Sequence, residues 1–164
     1  MRILGIETSC DETAVCLIEA NGAYGKNFKA TALGNALLSQ IETHRPFGGV
    51  FPNVARREHS KNLVPLWQSM LKQAEALNQR SIETPLDTSA VQKILAREPE
   101  LKERLLPFLQ KYKKPPLDAI AFTVGPGLEP ALWVGINFAR ALAVTWDIPL
   151  VPVNHMEGHI VMSL

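Results

Sequence analysis

Two histidines close to the end of the chain, His155 and His159 in "VNHMEGHIVMSL", stand four residues apart. On a helix that spacing puts both imidazoles on one face, where they can offer two nitrogens to one metal ion. A metal needs at least a third protein ligand, and only five residues follow His159. The competing reading is a solvated pair at a helix start. Glu157 lies between the histidines on another face, so this is not HExxH, where the glutamate directly follows the first histidine and acts as a base. Gly158 is a poor helix-interior residue and suggests that something approaches the backbone there.

A second cluster is the acidic turn "GIETSCDET", residues 5–13. Thr8, Ser9 and Thr13 bring hydroxyls that, with backbone N–H groups, can cradle a phosphate. Glu7, Asp11 and Glu12 bring carboxylates that can hold a hydrated Mg²⁺ or orient a proton transfer. The plain alternative is a solvated hairpin turn. In "VGPGL", Gly125 and Gly127 permit close backbone approach ahead of a helix N-terminus that attracts anions, but the spacing matches no P-loop or dinucleotide fingerprint. His44, Arg56, Arg57, His59 and Lys61 gather around a Gly-Gly loop. They could meet RNA phosphates, or form a solvated helix face, which is the simpler reading. "KYKK" reads as solvated, and Trp67, Trp133 and Trp146 read as core rather than as a base-stacking platform.

These residues need elements to position them. "RILGIE" and "TAVCLIEA" read as strands joined by the acidic turn, and "FKATALGNALLSQIET" as a third extended segment after a turn at "NGAYGKN". From Asn53 to about Leu77 the apolar spacing is helical, with Pro65 expected to end or kink the helix. Residues 81–114 read as an inserted helical hairpin, its second helix starting at Pro99. "LDAIAFTVG" is a strand, "EPALWVGINFARALAVTWD" an apolar helix in which Gly135 allows a close neighbour, "IPLVPVN" a strand, and "HMEGHIVMSL" a final helix. The order βββα, insert, βαβα predicts an α/β fold: a mixed sheet with helices on both faces.

The chain has 164 residues, 46% hydrophobic and 20% charged, with net charge +1, which fits one globular core and gives no overall call for nucleic acid or acidic lipid. Cys10 and Cys16 form no CxxC. With no export signal and no apolar run of membrane length, they are expected as free thiols of a cytoplasmic protein.

The segments "MRILGIETSCDETAVCL", "FGGVFPNVARREH", "FTVGPGLEPALWVGINFARALA" and "VPVNHMEGHI" occur in this order. Together they resemble the N-terminal half of the TsaD family (YgjD or Gcp in older usage), over nearly all of the chain outside residues 81–114. The resemblance implies an actin-like, Hsp70-like ATPase (ribonuclease H-like) lobe, whose halves run βββαβαβα. It implies transfer of threonylcarbamoyl from threonylcarbamoyl-AMP to N6 of the adenosine beside the anticodon, in tRNAs reading codons that start with A. It implies iron or zinc on His155 and His159, with an aspartate ligand from a C-terminal half. Glu7, Asp11 and Glu12 would line the cleft as catalytic acids. Thr8, Ser9, Gly125 and Gly127 would sit at the substrate or nucleotide. TsaB-like and TsaE-like partners, with Mg²⁺ and ATP in the complex, are implied as well.

Three departures stand out. Asn154 replaces a histidine found in many relatives, the insert is absent from shorter relatives, and the second half is missing. The chain is therefore expected to be one lobe, residues 1–164, inactive alone and with an exposed apolar face. The alternatives are a metallopeptidase, which the absence of HExxH opposes, and a non-catalytic TsaB-like scaffold, which His155 and His159 oppose.

Overall fold

The computed structural model describes residues 1–23, 26–80 and 86–161. Tyr24 and Gly25 of the predicted turn, residues 81–85 of the predicted insert and residues 162–164 of the predicted last helix lie outside them. Three strands open the chain, β1 (Arg2–Glu7), β2 (Glu12–Asn21) and β3 (Lys29–Ser39). A short helix α1 (Ile41–His44) and a 3-10 turn (Arg45–Phe47) then occupy what reads as a loop in the sequence. Helices α2 (Pro52–Gln73), α3 (Ser89–Ile94) and α4 (Pro99–Lys111) follow, then β4 (Ala119–Gly125), α5 (Glu129–Trp146), β5 (Leu150–Asn154) and α6 (His155–Val161).

The sheet runs β3-β2-β1-β4-β5. β1–β2 and β2–β3 are antiparallel, while β1–β4 and β4–β5 are parallel. This is the expected mixed α/β sheet, with three leading strands, a helical segment and then alternating strands and helices. Alternation sorts its side chains. Leu4, Ile6, Val15, Leu17, Ile120 and Phe122 point to one face and form one core with α2 and α5. Ile3, Cys16 and Ile18 point the other way and are half-buried, and Leu37 and Val151 there are exposed. No described helix lies across that second face, and α6 buries no residue. Helices on both faces are thus found on one face only among the described residues.

Pro65 does not break α2, which is continuous from Pro52 to Gln73. Its ring is exposed, so the carbonyl it leaves unbonded faces water. Leu63, Val64, Trp67, Met70 and Leu71 anchor the helix on both sides of it.

The inserted pair is more than an appendage. Pro99 is the first residue of α4, as its missing N–H favours. Leu101, Leu105, Phe108 and Leu109 of α4 are buried in the common core. Phe108 packs on Trp67 with ring centroids 4.4 Å apart. Thus α3 and α4 form a third layer outside α2 and α5. Trp67 is fully buried and Trp146 packs on it at 5.6 Å, as expected, whereas Trp133 is 45% exposed. Among the described residues no helix is long and apolar enough to cross a membrane.

Candidate active site

Parallel pairing brings the carboxyl ends of β1, β4 and β5 to one edge. The chain order reverses between β2-β1 and β1-β4, which is where open α/β sheets place their ligands. Glu7 ends β1, Thr123 and Gly125 end β4, and β5 delivers His155 as the first residue of α6. Asn154 caps that helix: its Oδ1 accepts from the N–H groups of Met156 at 2.9 Å and Glu157 at 3.3 Å.

The two histidines converge. Their Nε2 atoms lie 3.1 Å apart and their rings meet edge to face. The Nδ1 of His155 stands 3.1 Å from Oε2 of Glu7 and 3.3 Å from Oγ of Ser9. A carboxylate can only accept, so Glu7 holds the proton of His155 on Nδ1 and leaves the Nε2 lone pair facing His159. Two nitrogens bound tetrahedrally to one zinc stand roughly 3.3 Å apart, so the pair is spaced as metal ligands are. The carboxylate on the second nitrogen is the usual companion of a metal-bound imidazole. Among the described residues no third histidine, cysteine or acid completes a metal set.

Glu7 itself is tied on several sides. Its Oε2 accepts from Thr123 Oγ1 at 2.5 Å, and its Oε1 accepts from the Ser9 N–H. Burial pushes its pKa up, but the hydrogen bonds from Ser9, Thr123 and His155 outweigh that and hold it below the usual carboxylate value. Glu7 stays ionised and serves as an acceptor, not as a proton donor.

Thr8 and Ser9 are buried, and their hydrogen bonds hold the turn in place, with Ser9 Oγ turned toward His155. Thr8 Oγ1 donates to the Ala131 carbonyl at 3.0 Å. The Ser9 carbonyl accepts from Leu128 N–H at 2.7 Å, locking the acidic turn to the Gly125–Gly127 loop. At Gly127 a Cβ would sit 2.6 Å from the Ser9 carbonyl oxygen, so only glycine lets the two segments meet. Asp11 is half-buried and Glu12 is exposed at the start of β2. Neither hydrogen-bonds to the histidine pair. Burial, then the hydrogen bond and charge of Asp11, raise the Cys10 thiol, so it is not poised as a thiolate. Among the described residues Gly158 has nothing within 4 Å of where a Cβ would stand, against the expectation of a close neighbour.

Sequence reasoning missed what holds the acidic turn from below. His59 is fully buried; its Nε2 donates to the Cys10 carbonyl at 3.1 Å, and its Nδ1 lies 2.7 Å from Thr13 Oγ1 and 3.3 Å from Gln40 Nε2. Gln40 in turn accepts from His44 Nε2 at 3.0 Å, and its N–H donates to the Asp11 carbonyl at 2.8 Å. His44 is 3% exposed. Neither histidine is available to RNA. Arg56 and Arg57 are engaged too, with Glu98 and Glu100 at 3.2 Å each, and Lys61 pairs with Glu58.

The chain resembles two solved structures: YeaZ from Pseudomonas aeruginosa, at 15% identity and TM-score 0.44, and an uncharacterized protein with similarity to peptidase YEAZ from Pseudomonas aeruginosa, at 16% identity and TM-score 0.44. Each likeness covers 93% of this chain and 43% of the other, so the chain spans less than half the length of either. The family model described as "TsaD: tRNA N6-adenosine threonylcarbamoyltransferase" matches residues 31–82 and 102–164. The acidic turn precedes these segments. The gap at 83–101 lies inside the predicted insert, and the GPG loop and both converging histidines lie within the match. That match spans more than half of the chain, which therefore belongs to the TsaD family, a family of tRNA threonylcarbamoyladenosine modification.

Proposed function

We propose that this chain is the metal-bearing lobe of a cytoplasmic tRNA N6-adenosine threonylcarbamoyltransferase. The observation that carries the reading is the convergence of His155 and His159 Nε2 at 3.1 Å, with Glu7 on the far nitrogen of His155, in a chain of this family. His155 and His159 would hold iron or zinc, which when bound supplies Lewis-acid polarisation of the carbamoyl donor. A third ligand would come from outside the described residues.

The reaction balances without an oxidant. Adenosine N6 forms a bond to the carbamoyl carbon of threonylcarbamoyl-AMP. The bond from that carbon to the phosphate oxygen breaks, and AMP leaves with the electron pair. The proton leaving N6 needs a base. Glu12, exposed at the sheet edge, is the better candidate and Asp11 the second, because Glu7 is already committed to His155, Ser9 and Thr123. The loop at Gly125 and Gly127, packed on Ser9 ahead of α5, belongs beside the leaving phosphate. TsaB-like and TsaE-like proteins, with Mg²⁺ and ATP, complete the proposed assembly.

The test is mass spectrometry of tRNA nucleosides from cells in which the gene carrying this chain is silenced. Loss of threonylcarbamoyladenosine is expected, and unchanged levels overturn the reading. Cleavage of glycoprotein by the purified protein, abolished in His155→Ala, would replace it with a peptidase.

A further inference from the structure

A cavity of about 650 Å³ lies away from the sheet edge. It lies where the start of α2, the α3–α4 connection and the first half of α5 meet, and Arg56, Lys93, Arg97, Trp133, Asn137 and Arg140 line it. A second cavity of about 270 Å³ shares Asn53, Arg56 and Glu98 with it and continues past Arg57. The two make one groove that begins at Pro130, just beyond the Gly127 loop.

Its chemistry is one-sided. Its acids are Glu98 and Glu100, and both are engaged: Glu98 by Arg56 Nε at 3.3 Å, Arg56 Nη2 at 3.2 Å and Ser60 Oγ at 3.3 Å, and Glu100 by Arg57 Nε at 3.2 Å. Lys93, Arg97 and Arg140 are exposed, and no ion pair holds them among the described residues. Three exposed cations around a cavity, Lys93 with the carboxylate of Asp87 near it, favour an anion with several charges. Trp133 stands in their midst at 45% exposure, an indole face turned to water where a helix of this apolar character would bury it. Beside it Asn137 is only 8% exposed, and its amide has no hydrogen-bond partner among the described residues. That amide still reaches the water of the cavity, and a polar ligand edge can take the place of that water.

We propose that this groove binds a single-stranded RNA segment, with phosphates on Lys93, Arg97 and Arg140, a base stacked on Trp133, and Asn137 bonded to that base's edge. Cations spaced along a groove with an aromatic platform among them are the general design for an unpaired strand. The continuation past Arg57 extends the groove beyond one nucleotide, which favours a strand over a free nucleotide. Lys93 and Arg97 lie in residues 83–101, outside the family match, whereas Arg56, Trp133, Asn137 and Arg140 lie inside it. The inference deepens the tRNA-modification reading, on which the choice of RNA rests.

The experiment is fluorescence anisotropy of the full chain with a fluorescein-labelled, unstructured oligoribonucleotide across a salt series. The double substitution Arg97→Ala, Arg140→Ala should lower the slope of log affinity against log salt by about 0.7 per side chain. Trp133→Ala should weaken binding about tenfold and Trp133→Phe much less. All three side chains are exposed on the outer layer, and circular dichroism checks that each variant is folded. Unchanged affinity and slope in the double variant, or equal binding by Trp133→Ala, overturns the proposal. Binding of ATP that depends on these residues, without binding of the oligoribonucleotide, assigns the groove to a free nucleotide and overturns the strand. If silencing abolishes the tRNA modification but RNA binding ignores the groove variants, the groove fails alone. If RNA binding needs the groove but modification survives silencing, the proposed activity fails and the groove stands.

Discussion

His155 is held between two partners, Glu7 at 3.1 Å from its Nδ1 and His159 at 3.1 Å from its Nε2. The first contact fixes the tautomer that makes the second useful. Glu7→Gln keeps the shape but replaces an acceptor-only carboxylate with an amide that no longer demands the Nδ1 proton. The expected outcome is a drop in Zn²⁺ affinity of about 10–100-fold, the usual effect of removing a ligand's hydrogen-bonded companion. Competition titration with a chromophoric chelator reads it; equal affinity would show that Glu7 does not orient the ligand.

Gly135 faces Thr8 across the β1–α5 contact. A Cβ at Gly135 would lie 2.4 Å from Thr8 Oγ1, which already donates to Ala131. Alanine is the better helix former by about 1 kcal/mol, so a bare propensity argument predicts stabilisation. The clash wins here, because Thr8 is buried and its hydroxyl is bonded. Gly135→Ala should lower stability by about 1–3 kcal/mol in urea unfolding. Adding Thr8→Ala should restore part of that loss. Additive losses would rule out a direct clash.

Much of this arrangement is legible in the residue order. Alternation in "RILGIE" and "TAVCLIEA" places the strands, and the spacing of His155 and His159 places two imidazoles on one face. Gly135 announces a close neighbour, though not which. What stays hidden depends on contacts remote in sequence. Nothing local says that His59 will lie under Cys10, 49 residues away, so its run of basic neighbours reads as a charged surface. Trp133 reads as core because its helix is apolar, yet the ring falls on the side that the α3–α4 layer leaves open. Pro65 reads as a break because the sequence does not say that its turn faces water.

The Arg56–Glu98 contact ties the α3–α4 layer to α2. Glu98 is 4% exposed and also accepts from Ser60, while Arg56 Nη2 donates to the Arg97 carbonyl. Removing a partner from a fully buried pair costs about 3–5 kcal/mol. Arg56 is 39% exposed and can be rehydrated, so Glu98→Ala should cost less, about 2 kcal/mol. Hydrogen exchange should show faster exchange across residues 89–111 while β1 and β4 keep their protection. Uniform loosening of the whole chain would contradict a local tie.

His59 makes stability depend on pH in a defined direction. Burial pulls its pKa below the ordinary 6.5, and the charge of His44 adds to that; the Cys10 carbonyl and the charges of Glu7 and Asp11 oppose it without reversing it. The folded chain therefore keeps His59 neutral at a pH where the unfolded chain takes up a proton. Stability is full above about 6.5 and falls as pH drops from there toward the lower folded value, at no more than about 1.4 kcal/mol per pH unit. Protonation would also turn Nδ1 into a donor facing Thr13 and Gln40, which now donate toward it, and would loosen the acidic turn above. Urea midpoints at about pH 7.5 and about pH 5.5 should differ more in the wild type than in His59→Gln, which has no proton to gain. Equal acid sensitivity in the two would move the cause to the carboxylates, and His59 would then be a purely structural hydrogen-bond bridge.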